Sequence, residues 1–417
     1  MLLTKAARMW LTRSFKPFIF KNEYDHHLIY EDIESLGLYV HIPFCQSVCS
    51  FCPYCKVVYS AEMAYNYKKA LIKEIDLVGA MSKGKKKVTS LYFGGGTPAL
   101  LTDYLEEIIS TLKKYYVITD GIGVELHPDN VSIDTLSTLK SAGVTKISIG
   151  IQSFQPENLQ SLGRKEPNYA AVFEALQKVE FEVVSMDLIF AIPGQTAHQL
   201  KNDIKTAFAN GANHIAVYPF IEFSFSHNKF RPMAEKEKKR LLHEITEYCQ
   251  QKGYTRTSIW TFAKEGTKKY SSMTRDNFLG FGCSATTLLM DQFKINTFSV
   301  QEYIERINQN QLPTSLTLRF SPRQRMIYYL FWTAYTTKVN PEVFEKFFGV
   351  SLEKKYGLEL FICKLLGFAT MDNGSYRMTP RGAYYYHYFE QFYTLAYIDK
   401  MWSVMSKTAF PEQITLG

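Results

Sequence analysis

Residues 36 to 220 alternate short apolar runs with amphipathic helical patterns, which restricts this part of the chain to an α/β fold. The β-branched apolar runs predict strands at 36–42, 88–93, 123–126, 146–152, 183–190 and 214–220. Helical patterns lie between them at 61–82, 101–117, 131–142, 168–180 and 196–210, and Thr102 and Ser132 are suited to be helix N-caps. Six β/α units favour a parallel, partly closed (β/α)6 barrel with its site at the carboxyl ends of the strands.

The segments outside this core predict three further units. Residues 1–35 form an N-terminal arm, residues 36–225 the barrel core, residues 226–320 an extension that completes the core, and residues 321–417 a mostly helical domain. The basic, acid-free start predicts a helix and arm packed on the core, with a targeting or membrane-surface segment as the alternative.

The last domain carries a pattern that resembles a winged helix. Helices are predicted at 322–336, 341–347 and 352–366, followed by a hairpin turning at 372–374 and a long aromatic helix from Pro380 to about 406. Winged helices often bind DNA but also serve as packing modules, so this fold alone indicates no function.

The composition limits the compartment and the partners. Among 417 residues, no run reaches the ~18 apolar residues that a membrane span needs, so we expect a cytoplasmic protein without a membrane span. Seven cysteines, four of them within residues 45–55, suit metal binding in a reduced compartment. The net charge of +8 favours an acidic partner, which could be a polycarboxylate substrate, an acidic electron donor or nucleic acid.

A cysteine triplet directly follows the first predicted strand. Cys45, Cys49 and Cys52 form a C-x3-C-x2-C motif within YVHIPFCQSVCSFCPYC. Thiolates at this spacing can converge on one soft metal centre. Structural zinc would need four ligands, and the chain has no second cysteine pair of the usual spacing. Three thiolates can instead hold three corners of a four-iron cluster and leave one iron open for chemistry.

This triplet, within the phrase YVHIPFC, resembles the radical S-adenosylmethionine (SAM) superfamily. The fuller phrase is similar to the branch that contains oxygen-independent coproporphyrinogen III oxidase, the haem chaperones and related C-methyltransferases. The resemblance implies a partial (β/α)6 TIM-like radical SAM barrel, a [4Fe-4S] cluster and one or two SAM molecules. It implies reductive cleavage of SAM to a 5'-deoxyadenosyl radical that acts on a porphyrin-like or other bulky substrate, by oxidative decarboxylation or C-methylation. A flavodoxin or ferredoxin would be the electron donor.

The resemblance also assigns cofactor contacts to residues at the strand ends. The cluster ligands are Cys45, Cys49 and Cys52. The SAM contacts implied by matching positions are Tyr39, Phe51, Gly95, Gly96, Thr97, Glu125, Gln152, Arg164 and Asp187. Glycines let the backbone approach a ligand, a carboxylate can pair with an ammonium, and a guanidinium suits a carboxylate. The alternative for each charged residue is a salt bridge at the barrel rim.

Cys55 departs from the family pattern, since the oxidases have C-x-C where this chain has C-x2-C. We consider it, with Tyr39, a candidate catalytic residue, acting as a redox or hydrogen-donating thiol, while a packed cysteine is the alternative. Segment 279–286 is interpreted as a glycine-containing turn in which Cys283 is a packed thiol. His41, His127 and His214 are expected to be structural. A haem chaperone is the competing function, and nucleic-acid modification is disfavoured.

Overall fold

Six parallel strands form the centre of the molecule, as predicted. The structure, a computed structural model, describes residues 2–23, 27–224, 233–270 and 276–417. The six barrel strands are numbered first to sixth in chain order, and each pairs with the next one in that order. They are Gly37–Ile42, Leu91–Gly95, Ile122–Leu126, Lys146–Gln152, Val183–Phe190 and His214–Pro219. All five pairings are parallel, so the carboxyl ends of the strands meet at one mouth. The α/β barrel prediction is confirmed.

Amphipathic helices cover the outside of this barrel. Helix Thr102–Tyr115 turns Leu105, Ile108 and Leu112 into the core, at the spacing of one helix face. The helices before residue 320 are Leu2–Thr12, Ala61–Gly79, Thr102–Tyr115, Ile133–Ser141, Pro156–Ser161, Tyr169–Lys178, Ala197–Ala209, Glu235–Gln251 and Val300–Asn308.

Two local predictions about the helices and strands need correction. Ser132 caps its helix as expected, but Thr102 is the first residue of its helix rather than the cap, and its hydroxyl donates to the Ala99 carbonyl at 2.6 Å. The strand predicted at 88–93 is two strands. Lys86–Val88 pairs with Tyr116–Ile118 in a separate small sheet, and the second barrel strand begins only at Leu91.

A seventh parallel strand extends the barrel beside the first one. Phe278–Phe281 pairs with Gly37–Ile42 in parallel, where the sequence had been interpreted as a glycine-containing turn. The strand is short and contains Gly280, whose added Cβ would lie 2.1 Å from the Thr286 carbonyl oxygen. A glycine placed for close backbone contact has little strand propensity of its own, so the sequence pattern here favours a turn over a strand.

The sheet continues past the barrel on both sides, to fourteen strands among the residues that the structure describes. Beyond the seventh parallel strand lie Thr286–Leu288, Gln292–Asn296, Thr314–Arg319, Phe18–Lys21 and Gln413–Leu416, and beyond the sixth lie Thr261–Ala263 and Thr255–Arg256. The N-terminal helix was predicted, whereas the pairing of Phe18–Lys21 with Gln413–Leu416 was not. The proposed domain boundary at 225/226 lies outside the described residues.

The C-terminal region contains the predicted three helices and hairpin. The helices are Pro322–Ala334, Pro341–Phe348 and Leu352–Leu365, and the hairpin strands are Ala369–Asp372 and Ser375–Met378, with Lys338–Val339 as a third strand. Asn373 and Gly374 both have positive φ, as a two-residue hairpin turn requires. The predicted long helix consists of three consecutive segments, namely helix Pro380–Tyr393, a π-helical turn at Thr394–Ile398 and helix Asp399–Met405.

The search for transmembrane helices covered the described residues. Among them, no helix combines the length and the apolar composition that crossing a bilayer requires.

Candidate functional site

A large cavity opens at the carboxyl ends of the barrel strands. Its volume is about 1050 Å³, and its walls come from the cysteine loop, the barrel, the extension and the C-terminal helices. Every residue predicted for the site lines it: Tyr39, Cys45, Cys49, Phe51, Cys52, Cys55, Gly95, Gly96, Thr97, Glu125, Gln152, Arg164 and Asp187. The fold therefore brings these residues together, as expected when parallel strands end at one edge of a sheet.

The cysteine loop, residues 45–55, is closed at its base by backbone pairing. Phe44–Cys45 pairs in parallel with Val57–Val58, and the Tyr59 amide donates to the Cys45 carbonyl at 2.9 Å. Inside the loop, the Cys52 amide donates to the Cys49 carbonyl at 3.4 Å, and the Lys56 ammonium donates to the Cys52 carbonyl. These contacts hold the three thiols of the triplet on one short segment facing the cavity.

The thiols of Cys45 and Cys52 are protonated when no metal is bound. Burial raises the pKa of the Cys45 thiol to about 11, and burial also raises the pKa of Cys52. Metal ligation requires thiolates, so binding at this loop would release protons. Three soft donors on one loop, with no fourth cysteine ligand from a separated pair in the sequence, fit a cluster with one open corner.

The glycine segment packs directly on the cysteine loop. The Gly96 amide donates to the Ile42 carbonyl at 2.8 Å, and the Thr97 amide donates to the Phe44 carbonyl at 2.7 Å. A Cβ on Gly96 would lie 2.6 Å from the Phe44 carbonyl oxygen and 3.0 Å from the Cys45 sulfur. Only glycine permits this approach, so Gly96 forms a cradle beside a cluster-ligand position.

Two half-buried carboxyl groups lie on the inner face of the barrel. Glu125 accepts from the Gly95 amide at 3.1 Å and from the Tyr92 hydroxyl at 3.0 Å. Asp187 accepts from the Ser148 hydroxyl at 2.9 Å. Burial, assisted by the negative charge of Asp187, raises the pKa of Glu125 to about 7, and burial raises the pKa of Asp187 to about 6. A cationic ligand in the cavity would favour their ionised forms.

Arg164 connects the fourth strand to the cysteine loop. Its Nε donates to the Cys49 sulfur at 3.4 Å, and its guanidinium also donates to the Gly150 carbonyl. The guanidinium lies 5.9 Å from the centre of the Phe51 ring. At the end of that strand, Gln152 has a φ of 70°, a left-handed conformation that is uncommon outside glycine. This strained backbone conformation lies where Gln152 reaches the edge of the cavity.

Tyr39, His41 and Cys55 form a hydrogen-bonded chain. The Tyr39 hydroxyl lies 3.1 Å from His41 Nδ1, and His41 Nε2 lies 3.0 Å from the Cys55 carbonyl oxygen. Because a carbonyl only accepts, Nε2 carries the hydrogen and Nδ1 accepts from Tyr39. Burial lowers the pKa of His41 to about 4, so the ring is neutral. Both ring nitrogens are thereby engaged within the protein.

The C-terminal domain supplies a wall that the sequence did not assign to the site. Its aromatic side chains in the cavity are Tyr328, Phe331, Trp332, Tyr335, Phe389, Tyr393, Tyr397 and Trp402. Phe331 and Tyr393 pack with ring centres 5.0 Å apart. The high aromatic content of the last helices was visible in the sequence, but it could not show that this face is turned towards the cysteine loop.

Glu390 is a buried carboxyl group on this wall. Its Oε1 accepts from the Thr394 hydroxyl at 2.8 Å, while its Oε2 has no hydrogen-bond partner among the described residues. Burial raises the pKa of Glu390 to about 7. The side chain lines the cavity, but Oε2 has less than 1 Å² of accessible surface, so the carboxyl group would have to rotate to meet a bound molecule.

Replacing Glu390 by glutamine is expected to make stability less dependent on pH. Between pH 4.5, the ordinary pKa of a glutamate, and about pH 7, Glu390 stays protonated in the folded protein but is ionised in the unfolded chain. The stability that the protonated Glu390 contributes is therefore lost as pH rises through that window. The loss amounts to about 3 kcal/mol, since one pKa unit corresponds to about 1.4 kcal/mol. Urea unfolding at about pH 5 and about pH 8 measures it. The matched control is Glu345→Gln at an exposed site. The prediction is contradicted if the free energy of unfolding of Glu390→Gln changes with pH as steeply as that of wild type, or as steeply as that of the control.

Comparison with known proteins relates the chain to a described superfamily. The radical SAM superfamily model matches residues 39–207. Haem chaperone HemW of Bacillus subtilis is 29% identical over 292 residues, which cover 66% of this chain and 76% of that protein. The oxygen-independent coproporphyrinogen III oxidase of Pseudomonas aeruginosa is 25% identical over 311 residues, which cover 66% of each chain.

A solved structure shares the overall fold. The coproporphyrinogen III oxidase HemN from Escherichia coli, described as a radical SAM enzyme, superposes with a TM-score of 0.76 over 92% of this chain and 98% of that one. The two are 19% identical in sequence, so this likeness shows the fold alone. The family model and the sequence relatives point the same way: residues 39–207 match the radical SAM superfamily, and the chain is similar to haem chaperones and to oxygen-independent coproporphyrinogen III oxidases.

Proposed function

We propose that this protein is a radical SAM enzyme that cleaves SAM reductively and modifies a porphyrin-like or other bulky planar substrate. The observation that carries the proposal is one continuous cavity with the cysteine loop on one wall and the aromatic C-terminal helices on another. At about 1050 Å³ the cavity is slightly larger than the usual range for small-molecule sites, about 300–1,000 Å³. That volume suits a cofactor and a large substrate together.

In this proposal Cys45, Cys49 and Cys52 hold a [4Fe-4S] cluster on the cysteine loop. When bound, such a cluster supplies the electron for reductive cleavage of SAM, delivered to it by a flavodoxin- or ferredoxin-type donor. The Gly96 cradle beside Cys45 and the Arg164 contact to Cys49 support the assignment, because both position ligand sulfurs from outside the loop.

We assign SAM binding to the polar groups beside this loop. Glu125 would pair with the ammonium group, since its half-buried carboxyl faces the cavity and already accepts from the Gly95 amide. The other proposed contacts are Tyr39, Phe51, Gly95, Gly96, Thr97, Gln152, Arg164 and Asp187. Tyr39 and Cys55 would also contact reacting groups, because both line the same cavity.

The substrate would lie against the aromatic wall, with Glu390 accepting a hydrogen bond from it. Aromatic side chains provide large apolar area and stack on flat rings, and a buried carboxyl with one unpartnered oxygen among the described residues suits a ring N–H donor. The mass of the product distinguishes decarboxylation from C-methylation.

Replacing Phe331 by alanine is expected to weaken binding of a planar tetrapyrrole about 10-fold, the effect of losing a buried aromatic contact in a binding site. Titration of coproporphyrin followed by its absorbance would measure the affinity. The matched control is Phe361→Ala, because Phe361 is 61% exposed on helix Leu352–Leu365 and does not line the cavity. Equal weakening in both variants would argue against the proposed substrate wall.

The direct test is anaerobic incubation of the reconstituted protein with dithionite, SAM and candidate porphyrins. Release of 5'-deoxyadenosine that depends on the protein, with a mass change in the porphyrin, is expected. A loss of carboxyl groups would identify decarboxylation, and an added methyl group would identify methylation. Absence of 5'-deoxyadenosine from protein that contains its full complement of iron would refute the enzyme proposal.

The second candidate is a haem chaperone, which the relative from Bacillus subtilis favours by its name and its 29% identity. The same cavity would then hold haem without changing it. Stable haem binding, together with little 5'-deoxyadenosine and an unchanged haem mass, would select this function over the first.

A further inference from the structure

Two cysteines that are far apart in sequence lie side by side at the edge of the cavity. Cys55 ends the cysteine loop, and Cys283 follows the seventh parallel strand. Their sulfur atoms and a ring nitrogen of His41 all lie within 4.8 Å of one another. The sulfurs are close enough that modest side-chain rotation could bring them to the ~2.05 Å of a disulfide bond.

The backbone around Cys283 is held firmly. The Cys283 amide donates to the Tyr67 hydroxyl at 3.0 Å, and the Gly282 amide donates to the Glu74 carboxyl at 2.7 Å. Gly282 has a φ of 98°, and a Cβ there would lie 2.6 Å from the His41 carbonyl oxygen. This glycine therefore allows the chain to turn tightly and to place Cys283 against the first barrel strand.

Cys55 is held in place from the other side. Its thiol donates to the Phe298 carbonyl at 3.1 Å, and its carbonyl accepts from His41 Nε2 at 3.0 Å. The two sulfurs thus face each other from segments that are each anchored to the core. Such fixed proximity raises the effective concentration of one thiol beside the other.

A metal site formed by the same three residues is less consistent with these contacts. His41 uses Nε2 on the Cys55 carbonyl and Nδ1 on the Tyr39 hydroxyl, so binding a metal would require breaking one of those hydrogen bonds. Two sulfurs remain, which is fewer than the three or four protein ligands of zinc sites. The arrangement is therefore better described as a pair of thiols.

The two thiols differ in access and in acidity. Cys55 lines the cavity, whereas Cys283 is fully buried. The hydrogen bond from Cys283 lowers the pKa of Cys55, and burial raises the pKa of Cys283. A small molecule in the cavity can thus reach Cys55 first, and Cys283 is placed to react only with Cys55.

We propose that Cys55 and Cys283 form a redox-active dithiol, separate from the cluster ligands, which low-molecular-weight disulfides convert to an intramolecular disulfide. The Cys55 thiolate attacks one sulfur of the external disulfide, forming a mixed disulfide and releasing one thiol. Cys283 then attacks the Cys55 sulfur, forming the internal disulfide and releasing the second thiol. The protons of the two protein thiols end on the two released thiols. The reverse exchange with excess thiol restores the pair.

The internal disulfide would tie the end of the cysteine loop to the seventh parallel strand. Cys55 would then no longer donate to the Phe298 carbonyl, and the loop would be linked covalently to the barrel beside the proposed cluster. This is a property of the folded chain and does not depend on which substrate the cavity takes.

The experiment incubates the full chain, with its iron restored under anaerobic conditions, in buffers of reduced and oxidised glutathione at a series of ratios. Free thiols are alkylated, and peptides are mapped by mass spectrometry. We expect one internal pair, Cys55 with Cys283, whose amount rises with the oxidised fraction and is lost on return to excess thiol. Iron content identifies the folded fraction in every sample.

Variants separate the two roles. Cys283→Ser is expected to abolish the internal pair completely and to leave glutathione attached to Cys55, whereas Cys55→Ser is expected to leave Cys283 as an unmodified thiol. Cys363, away from the cavity, serves as the control and should gain only a mixed disulfide. The proposal is overturned if Cys283 stays reduced in the wild-type chain at all ratios. It is also overturned if Cys55 pairs with a cluster cysteine, or if one zinc ion binds through His41 and both sulfurs.

Discussion

Alanine at Cys45, Cys49 or Cys52 is expected to remove the iron centre and to lower the release of 5'-deoxyadenosine by at least about 100-fold. Loss of a residue that only hydrogen-bonds to a metal ligand typically lowers metal affinity or activity 10- to 100-fold. Loss of a ligand itself should therefore lower them by at least about 100-fold. We do not expect Cys55 to take the place of the missing cluster ligand, because its thiol donates to the Phe298 carbonyl and lies beside Cys283. Iron and sulfide analysis, the visible absorbance of the anaerobic protein and the yield of 5'-deoxyadenosine measure the effect.

The matched control for these ligand variants is Cys363→Ala. Cys363 lies on helix Leu352–Leu365 and does not line the cavity, so it should leave iron content and turnover at the wild-type level. An intact four-iron centre in any of the three ligand variants would contradict the assignment of the triplet. Loss of iron in the Cys363 variant would show that the assay reports general damage rather than ligation.

Replacing Gly96 by alanine is expected to disrupt cluster assembly and to destabilise the fold by about 1–3 kcal/mol, the usual cost of overpacking. The new Cβ would lie 2.6 Å from the Phe44 carbonyl oxygen, 2.9 Å from the Pro43 carbonyl carbon and 3.0 Å from the Cys45 sulfur. Two of these contacts are to backbone, which cannot rotate away as a flexible side chain can. The glycine segment or the base of the cysteine loop must therefore shift, and Cys45 would move with it.

Urea unfolding of the metal-free protein and iron content after reconstitution measure the two effects of Gly96→Ala separately. The matched control is Gly84→Ala, since a Cβ on Gly84 meets no atom within 4 Å and its φ is not positive. Wild-type iron content in Gly96→Ala would show that the cradle is not needed for the cluster. An equal loss of stability in Gly84→Ala would indicate a general effect of removing glycine.

Much of the barrel could be predicted because its signals are local. Each barrel strand is a short β-branched run, and each covering helix repeats apolar residues along one face, so windows of about ten residues contain the information. The cysteine triplet is local in the same sense, since three ligands fall within eight residues of one loop. The strand ends then place Glu125, Gln152 and Asp187 at the same mouth by topology alone.

The parts that the sequence did not predict depend on contacts between distant segments. The seventh strand is identifiable only through its pairing with Gly37–Ile42, because a run of four residues with a glycine in it gives little local signal for a strand. The strand Phe18–Lys21 is defined in the same way by its partner near the other end of the chain. The hydrogen bonds that define such a strand come from a partner strand that is far away in the sequence, so no short stretch of sequence reveals them.

The sequence by itself determined the α/β barrel, the cysteine loop and the set of polar residues around it, because strand, helix and ligand spacing are written in short stretches of chain. Only the tertiary structure decided that the aromatic C-terminal helices form the opposite wall of the cavity, and that Cys283 lies beside Cys55. Both arrangements result from the packing of surfaces that are hundreds of residues apart, and packing depends on the shape of the whole core rather than on any one segment.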